Sequence, residues 1–323
     1  MDGRRPNLLI GLPVTGVKLM VRLFATLTAL TVTTFLGVGV WAEGAISQVQ
    51  SRGALACHGS LLGQRLNKPI EGIASTPDQE GYWLVASDGG VFSFGDAGYF
   101  GSMGGQPLNQ PVVGMASTAH GRGYWLVASD GGIFSFGDAG YFGSMGGQPL
   151  DQPVVGMAST ADGRGYWLVA SDGGIFSFGD AQFYGSAGSV HLNQPIIGMA
   201  GTSNSSGYWL AAADGGIFAF GNATFFGSGP QTDSGTLNLV AFSAATTSGG
   251  YILGSANRAV ELFAFGDARY AGVAYAPNDA SHLVGLTSPV ASDDYAYWDA
   301  TAAGGVDVDD PGPSTGLGSH ASC

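Results

Sequence analysis

Aspartate recurs along this chain at a fixed interval, and it is the residue type best placed to do chemistry. Asp88, Asp130, Asp172 and Asp214 each precede a Gly-Gly pair and stand 42 residues apart. Asp96, Asp138 and Asp180 form a second series, continued by Asn222 and Asp267. Carboxylates gathered at one end of a repeat structure could take Ca²⁺, because hard cations want several oxygens. The same residues fit turn chemistry, in which an Asp before Gly bonds its own backbone two residues on. Each turn supplies one carboxylate, too few for a metal site, so turn capping is the expectation and Ca²⁺ the alternative.

Other reactive types are scattered. His58, His120, His191, His282 and His320 fall at unrelated places in the repeat, whereas a zinc site needs about three converging ligands. The chain has no Gly-x-Ser-x-Gly elbow, no His-Glu-x-x-His and no phosphate loop. Beyond Glu43 the glutamates are Glu71, Glu80 and Glu261. The expectation is therefore no catalytic residue, no cofactor and no metal. Tyr-Trp pairs at 82–83, 124–125, 166–167 and 208–209 could stack on sugars. Their mid-strand position suits packing between sheets better. Met115, Met157 and Met199 read as gap fillers between those sheets.

The elements that must carry these residues follow from the repeat. The aromatic pairs recur at 42, and Tyr251 and Tyr297-Trp298 continue the series at 43 and 46. Each unit reads as four short strands, a to d, at 112–117, 124–128, 133–136 and 141–145 in the second unit. Asp130-Gly131 suits the tight b–c hairpin, and Pro153 suits the start of the next innermost strand. Tyr124, Trp125, Leu126 and Val127 leave no polar face, as expected of sheets covered on both sides. Four-stranded sheets of this period, stacked about an axis, make a β-propeller. The segment 58–69 aligns with 100–111 at an offset of 42, so the chain opens on a lone d strand, while the last unit lacks one. The fold expected is all-β: a six-bladed β-propeller of four-stranded, ~42-residue repeats. An N-terminal strand near His58–Leu62 would pair with the c strand at 306–308 and close the ring.

These units resemble the secreted Gly-Tyr-Trp-Leu-Val-Ala-Ser-Asp-Gly-Gly-Ile-Phe-Ser-Phe-Gly-Asp-Ala repeats of actinobacterial surface proteins. Their Pro-x-x-Gly, Asp-Gly and Phe-Gly pattern is also similar to the NHL-type repeats of six-bladed propellers. The resemblance covers about residues 57–309 and implies architecture; propellers host unrelated functions. Units five and six depart from it, with Asn257-Arg258-Ala259-Val260 replacing the Asp-Gly turn and Asp307 and Asp309 replacing aromatics.

Charge and targeting place the protein. Basic residues end at Arg22, and 20 uncharged residues, Leu23 to Ala42, follow. Residues 1–42 read as a signal peptide cleaved near Glu43, or as an uncleaved signal anchor, with translation starting at Met1 or Met20. Either puts the remainder outside the membrane, secreted or at the cell surface. Residues 43–55 read as a linker, 56–310 as the propeller and 311–323 as a flexible tail. The net charge is −13, and from Glu43 onward 7 basic residues face 23 acidic ones. That field repels phosphate backbones and anionic headgroups, so nucleic acid is an unfavourable partner. Cys57 and Cys323 could form a disulfide joining the two ends, or Cys323 could stay free or link two molecules.

The leading expectation is a monomeric, non-catalytic extracellular binding or scaffold module for a cell-wall polymer, carbohydrate or protein. Its binding face would be the end carrying the b–c turns (Asp88, Asp130, Asp172, Asp214) and the varied d–a loops at 189–193, 230–236 and 276–281. The alternatives are a propeller enzyme, a lyase or hydrolase working at the ring axis, and a structural adhesion repeat of the surface.

Overall fold

A computed structural model describes residues 58–229, 238–245, 249–256, 260–268, 273–274, 283–287, 297–301, 306–310 and 319–322. All lie within the compact unit Gly53–Cys323. Residues 1–55, expected to hold a targeting segment and a linker, together with Cys57, Cys323 and the loops 230–236 and 276–281, lie outside the described residues. Among the described residues no helix is long and apolar enough to cross a membrane.

Apolar runs punctuated by glycine turns fold here into antiparallel meanders. The first unit gives β1 (Ile70–Ser75), β2 (Gly81–Ala86) and β3 (Val91–Gly95); the second gives β4 (Val112–Ser117), β5 (Gly123–Ala128) and β6 (Ile133–Gly137). The third gives β7 (Val154–Ser159), β8 (Gly165–Ala170) and β9 (Ile175–Gly179), and the fourth β10 (Ile196–Gly201), β11 (Gly207–Ala212) and β12 (Ile217–Gly221). The fifth has β13 (Leu239–Ala244), β14 (Gly250–Ala256), β15 (Val260–Gly266) and β16 (Val273–Ala274). The last has β17 (Leu283–Thr287), β18 (Tyr297–Thr301), β19 (Val306–Asp310) and β20 (Ser319–Ser322). Among the described residues these make six sheets, each paired in chain order.

The middle strand of each of the first four sheets is buried along its whole length. Its side chains serve two neighbours. Trp83 and Val85 pack with Tyr124 and Leu126 of the next sheet, and Trp125 and Val127 do the same with Tyr166 and Leu168. The indole of Trp83 lies 5.6 Å from the Tyr124 ring, and that of Trp125 lies 5.7 Å from Tyr166. The Tyr-Trp pairs are therefore the glue between sheets, because each ring is covered only when the neighbour is in place. The fifth unit has Ile252 where the others have Trp, and among the described residues Ile252 is buried with Ala241, Leu262 and Leu286 at its junction with the sixth.

The fourth strand differs from expectation. Among the described residues of the first four units no d ladder forms: the sheets are three-stranded. The segment after β3, β6, β9 or β12 is held by side chains and by one backbone bond per unit, such as that from the Met103 N–H to the carbonyl of Gly89 (2.8 Å). Tyr124 donates its hydroxyl to the carbonyl of Gly101 (2.6 Å) and accepts from the N–H of Phe100 (3.2 Å). Trp83 donates its indole N–H to the carbonyl of Gly98 (2.7 Å). Gly101 has φ = +130°, and a Cβ there would meet the Phe136 ring at 2.7 Å. Glycine is required because the chain leaves the edge of one sheet to wedge against the next.

Ring closure is also a correction in detail. The partner of β19 is β20, with Val308 opposite Ala321, and not the His58–Leu62 segment. Part of 311–323 is thus a strand where a flexible tail was expected. The N-terminal segment behaves as its counterparts do: Tyr82 donates to the carbonyl of Gly59, as Tyr124 does to Gly101. Leu61 is buried with Ile70, Tyr82, Ala300 and Val306, bridging the first and last sheets. Because these segments bind through tyrosine hydroxyls and packing, they leave the backbone edge of β19 open to a ladder partner, which β20 supplies. The innermost strands meet at the same seam. Ser75 and Thr287 share a hydroxyl hydrogen bond of 2.9 Å, and a Cβ on Gly285 would lie 2.9 Å from Ile73 Cγ2.

Candidate functional site

The first strand of each sheet lines a common axis. Ile73, Met115, Met157, Met199, Phe242 and Leu286, one from each innermost strand, form a waist that borders two cavities. The wider, about 370 Å³, opens at the end of the a–b turns and is bordered by Ser75, Ser117, Ser159 and Thr287. Some of these hydroxyls already bridge neighbours: Ser159 donates to the carbonyl of Ser117 at 3.3 Å. The narrower cavity, about 130 Å³, lies toward the b–c turns. The methionines fill the gap between sheets as expected and also face this axis.

A β-bulge recurs at the narrow end. The register shifts between Ile70 and Gly72, Val112 and Gly114, and Val154 and Gly156, and again in each later unit. The skipped residue is Val113, Val155, Ile197, Val240 or Val284 in five units, and all five border the narrow cavity. In the first unit it is Glu71. Burial raises the Glu71 carboxyl above the ordinary glutamate range. The sequence carries the signal for this residue, since Glu71 breaks a run of branched apolar residues at one repeat position, and the structure adds that this position is the bulged one.

The aspartates of the b–c turns are committed locally. Asp88, Asp130, Asp172 and Asp214 each accept the N–H of the glycine two residues on, at 2.8–3.0 Å. The second series is held by buried threonines: Thr118 donates to Asp138 at 2.8 Å and Thr160 to Asp180 at 3.0 Å. Asn222 takes the same bond from Thr202 at 3.1 Å, so the position needs an acceptor and not a charge. Around these turns Arg164 bonds Asp162 and pushes its carboxyl down to about 2. In the first unit the matching positions are all acidic. Burial and the neighbouring Asp78 carboxylate raise Asp96. The Thr76 hydroxyl lowers Asp78. Among the described residues no three His, Cys, Asp or Glu side chains converge as metal ligands.

The expected binding end does bring one turn and one loop together. Asp172, His191 and Asn193 border a surface cavity of about 330 Å³ where the third unit crosses to the fourth. His58 lies elsewhere, 6.1 Å from the Tyr82 ring at the seam. His120 is exposed on an a–b turn, His320 sits opposite Asp309 in the β19–β20 ladder, and His282 lies outside the described residues.

A solved structure shares this arrangement. The β-propeller domain of Cps50 (Swd1) from Myceliophteria thermophila superposes with a TM-score of 0.50 at 10% identity, covering 74% of this chain and 82% of that one. The fold is a β-propeller. At that identity the likeness speaks of fold alone. No family model matches the chain, and no curated protein matches it. Within the propeller the waist is the inner wall of the blades, and the Tyr-Trp pairs are the blade-to-blade contacts.

Proposed function

We propose that this chain is a six-bladed, monomeric, non-catalytic propeller that works outside the membrane and binds a cell-wall polymer, carbohydrate or protein. The observation that carries this reading is the axial cavity. Its described lining is Met, Ile, Leu and Phe side chains, small apolar residues and Ser/Thr hydroxyls, with no titratable side chain among them. A rigid ring with such a mouth suits holding a ligand, and among the described lining residues no acid or base stands by to activate the hydroxyls. Six innermost strands, and the first-to-last contacts of Leu61, Ser75 and Gly285, support six blades closed on themselves. The leader-like segment before Glu43 supports export, and the acidic balance disfavours nucleic acid.

One observation favours the enzyme reading: Glu71, a carboxyl raised by burial, stands at the repeat position whose residues in the other five units border the narrow cavity. No described residue lining that cavity is an acid or base that could pair with it, and paired groups are what glycoside cleavage uses. The test incubates the exported protein with a panel of wall polymers and assays both retention and released product. Retention without release is expected; released sugar or unsaturated product would install the enzyme reading.

A further inference from the structure

One exposed aromatic ring stands at the same place in each of the first four blades. Tyr99, Tyr141, Phe183 and Phe225 are 62%, 63%, 57% and 56% exposed. Each follows the outermost paired strand of its blade, so the four lie along the perimeter. The residue next to each turns inward: Phe100 packs 5.8 Å from Tyr124, and Phe142 5.7 Å from Tyr166. Each of these four units thus spends one ring of an aromatic pair on the blade interface and presents the other to solvent.

Single surface aromatics are ordinary; this row is distinguished by what varies and what does not. The preceding residue changes from Gly98 and Gly140 to Gln182 and Thr224, so the repeats have drifted here. Over the first five full units the exposed position changes too, from Tyr to Phe and back to Tyr270, yet stays aromatic; the partial N-terminal unit has Cys57 there. The phenol hydroxyl is dispensable and the flat face is kept. Three residues on, every one of the first four units has a serine, and Tyr99 donates to the Ser102 hydroxyl at 3.3 Å.

We propose that this perimeter row is a binding surface for a neutral polysaccharide. The proposal rests on the binding reading above and narrows its ligand. Each ring covers the apolar C–H face of one sugar, the adjacent serine meets its hydroxyls, and a ligand of repeating chemistry engages several blades at once. The alternatives fit less well. A protein interface gathers its aromatics into one desolvated centre, whereas these stand one per blade. A lipid surface or anionic polymer wants basic residues, and the chain carries a net charge of −13.

The test uses the full exported chain against insoluble chitin and cellulose, with alginate as the anionic contrast. Wild type should be retained on a neutral polymer and not on alginate. An aromatic contact of 0.5–1.5 kcal/mol corresponds to about 2- to 12-fold per ring. The quadruple variant Tyr99→Ala, Tyr141→Ala, Phe183→Ala, Phe225→Ala should therefore bind at least ~30-fold more weakly, if the four contributions add. Its unfolding temperature should be unchanged, since these rings are exposed. The Tyr99→Phe, Tyr141→Phe variant should bind as wild type does. Equal binding by a folded quadruple variant would overturn the perimeter site and leave the binding function standing. Retention on alginate alone, or on a protein partner and no polysaccharide, would overturn the ligand class. Product release by wild type would instead remove the non-catalytic reading.

Discussion

Replacing Trp125 separates the two roles open to the Tyr-Trp pairs. Its side chain is fully buried, touches Tyr166 of the next blade at 5.7 Å between ring centres, and donates to the carbonyl of Gly140 at 2.6 Å. Trp125→Phe keeps most of the apolar area and leaves that carbonyl without its partner, at a cost of about 1–3 kcal/mol. Trp125→Ala also opens a cavity between blades, and such truncations cost about 3–5 kcal/mol. A domain holds about 5–15 kcal/mol in total, so the alanine variant loses a large share of it. At about 2–4 °C per kcal/mol for a chain of this size, the unfolding temperature should fall roughly 6–20 °C for Ala and 2–12 °C for Phe. Thermal unfolding followed by tryptophan fluorescence and circular dichroism measures both. Polymer binding by the folded Phe variant should match wild type. A Trp125→Ala protein with unchanged stability but lost binding would refute the packing role and make the pair a sugar platform.

Two further outcomes follow from the turns and the axis. Asp130→Ala removes the bond to the Gly132 N–H (2.9 Å) and should cost about 1 kcal/mol, while Ca²⁺ or a chelator should leave the wild-type unfolding temperature unchanged. A Ca²⁺-dependent rise would restore the cation reading. Glu71 is raised by burial, so its carboxylate opposes folding at neutral pH, and that opposition fades as pH falls through its folded value. Glu71→Gln should therefore raise the urea midpoint at pH 7, with the gain shrinking toward pH 4; an equal gain at both would assign it to packing.

The repeat period, the doubly covered middle strands and the Asp-Gly turns were legible in the sequence because each is a local pattern. The Asp130 turn and the buried Tyr124-Trp125 pair stand where the residues place them. What was not legible depends on one blade touching another. The segment around Gly101 looks like a strand, yet Tyr124 of the next blade pulls it from the ladder through its hydroxyl. Ser319–Ser322 carries little strand signal, and it pairs because β19 offers an open edge. Glu71 and the Tyr99 series are plain in the repeat alignment, but only the structure shows that Glu71 sits in a bulge and that Phe100 turns to the interface while Tyr99 stays exposed.

The central claim is a ring closed at the seam between its first and last blades, and removing its clasp tests that claim most directly. Leu61 is buried against Ile70, Tyr82, Ala300 and Val306, so Leu61→Ala should cost about 2–5 kcal/mol. Deleting 58–62 should cost more, because it also removes the Gly59 carbonyl that accepts from the Tyr82 hydroxyl and invites association through an open blade. Unfolding temperature and mass by sedimentation, measured together on the deletion variant, are decisive. The closed ring predicts a marked loss of stability with oligomers appearing. A monomer as stable as wild type would contradict it.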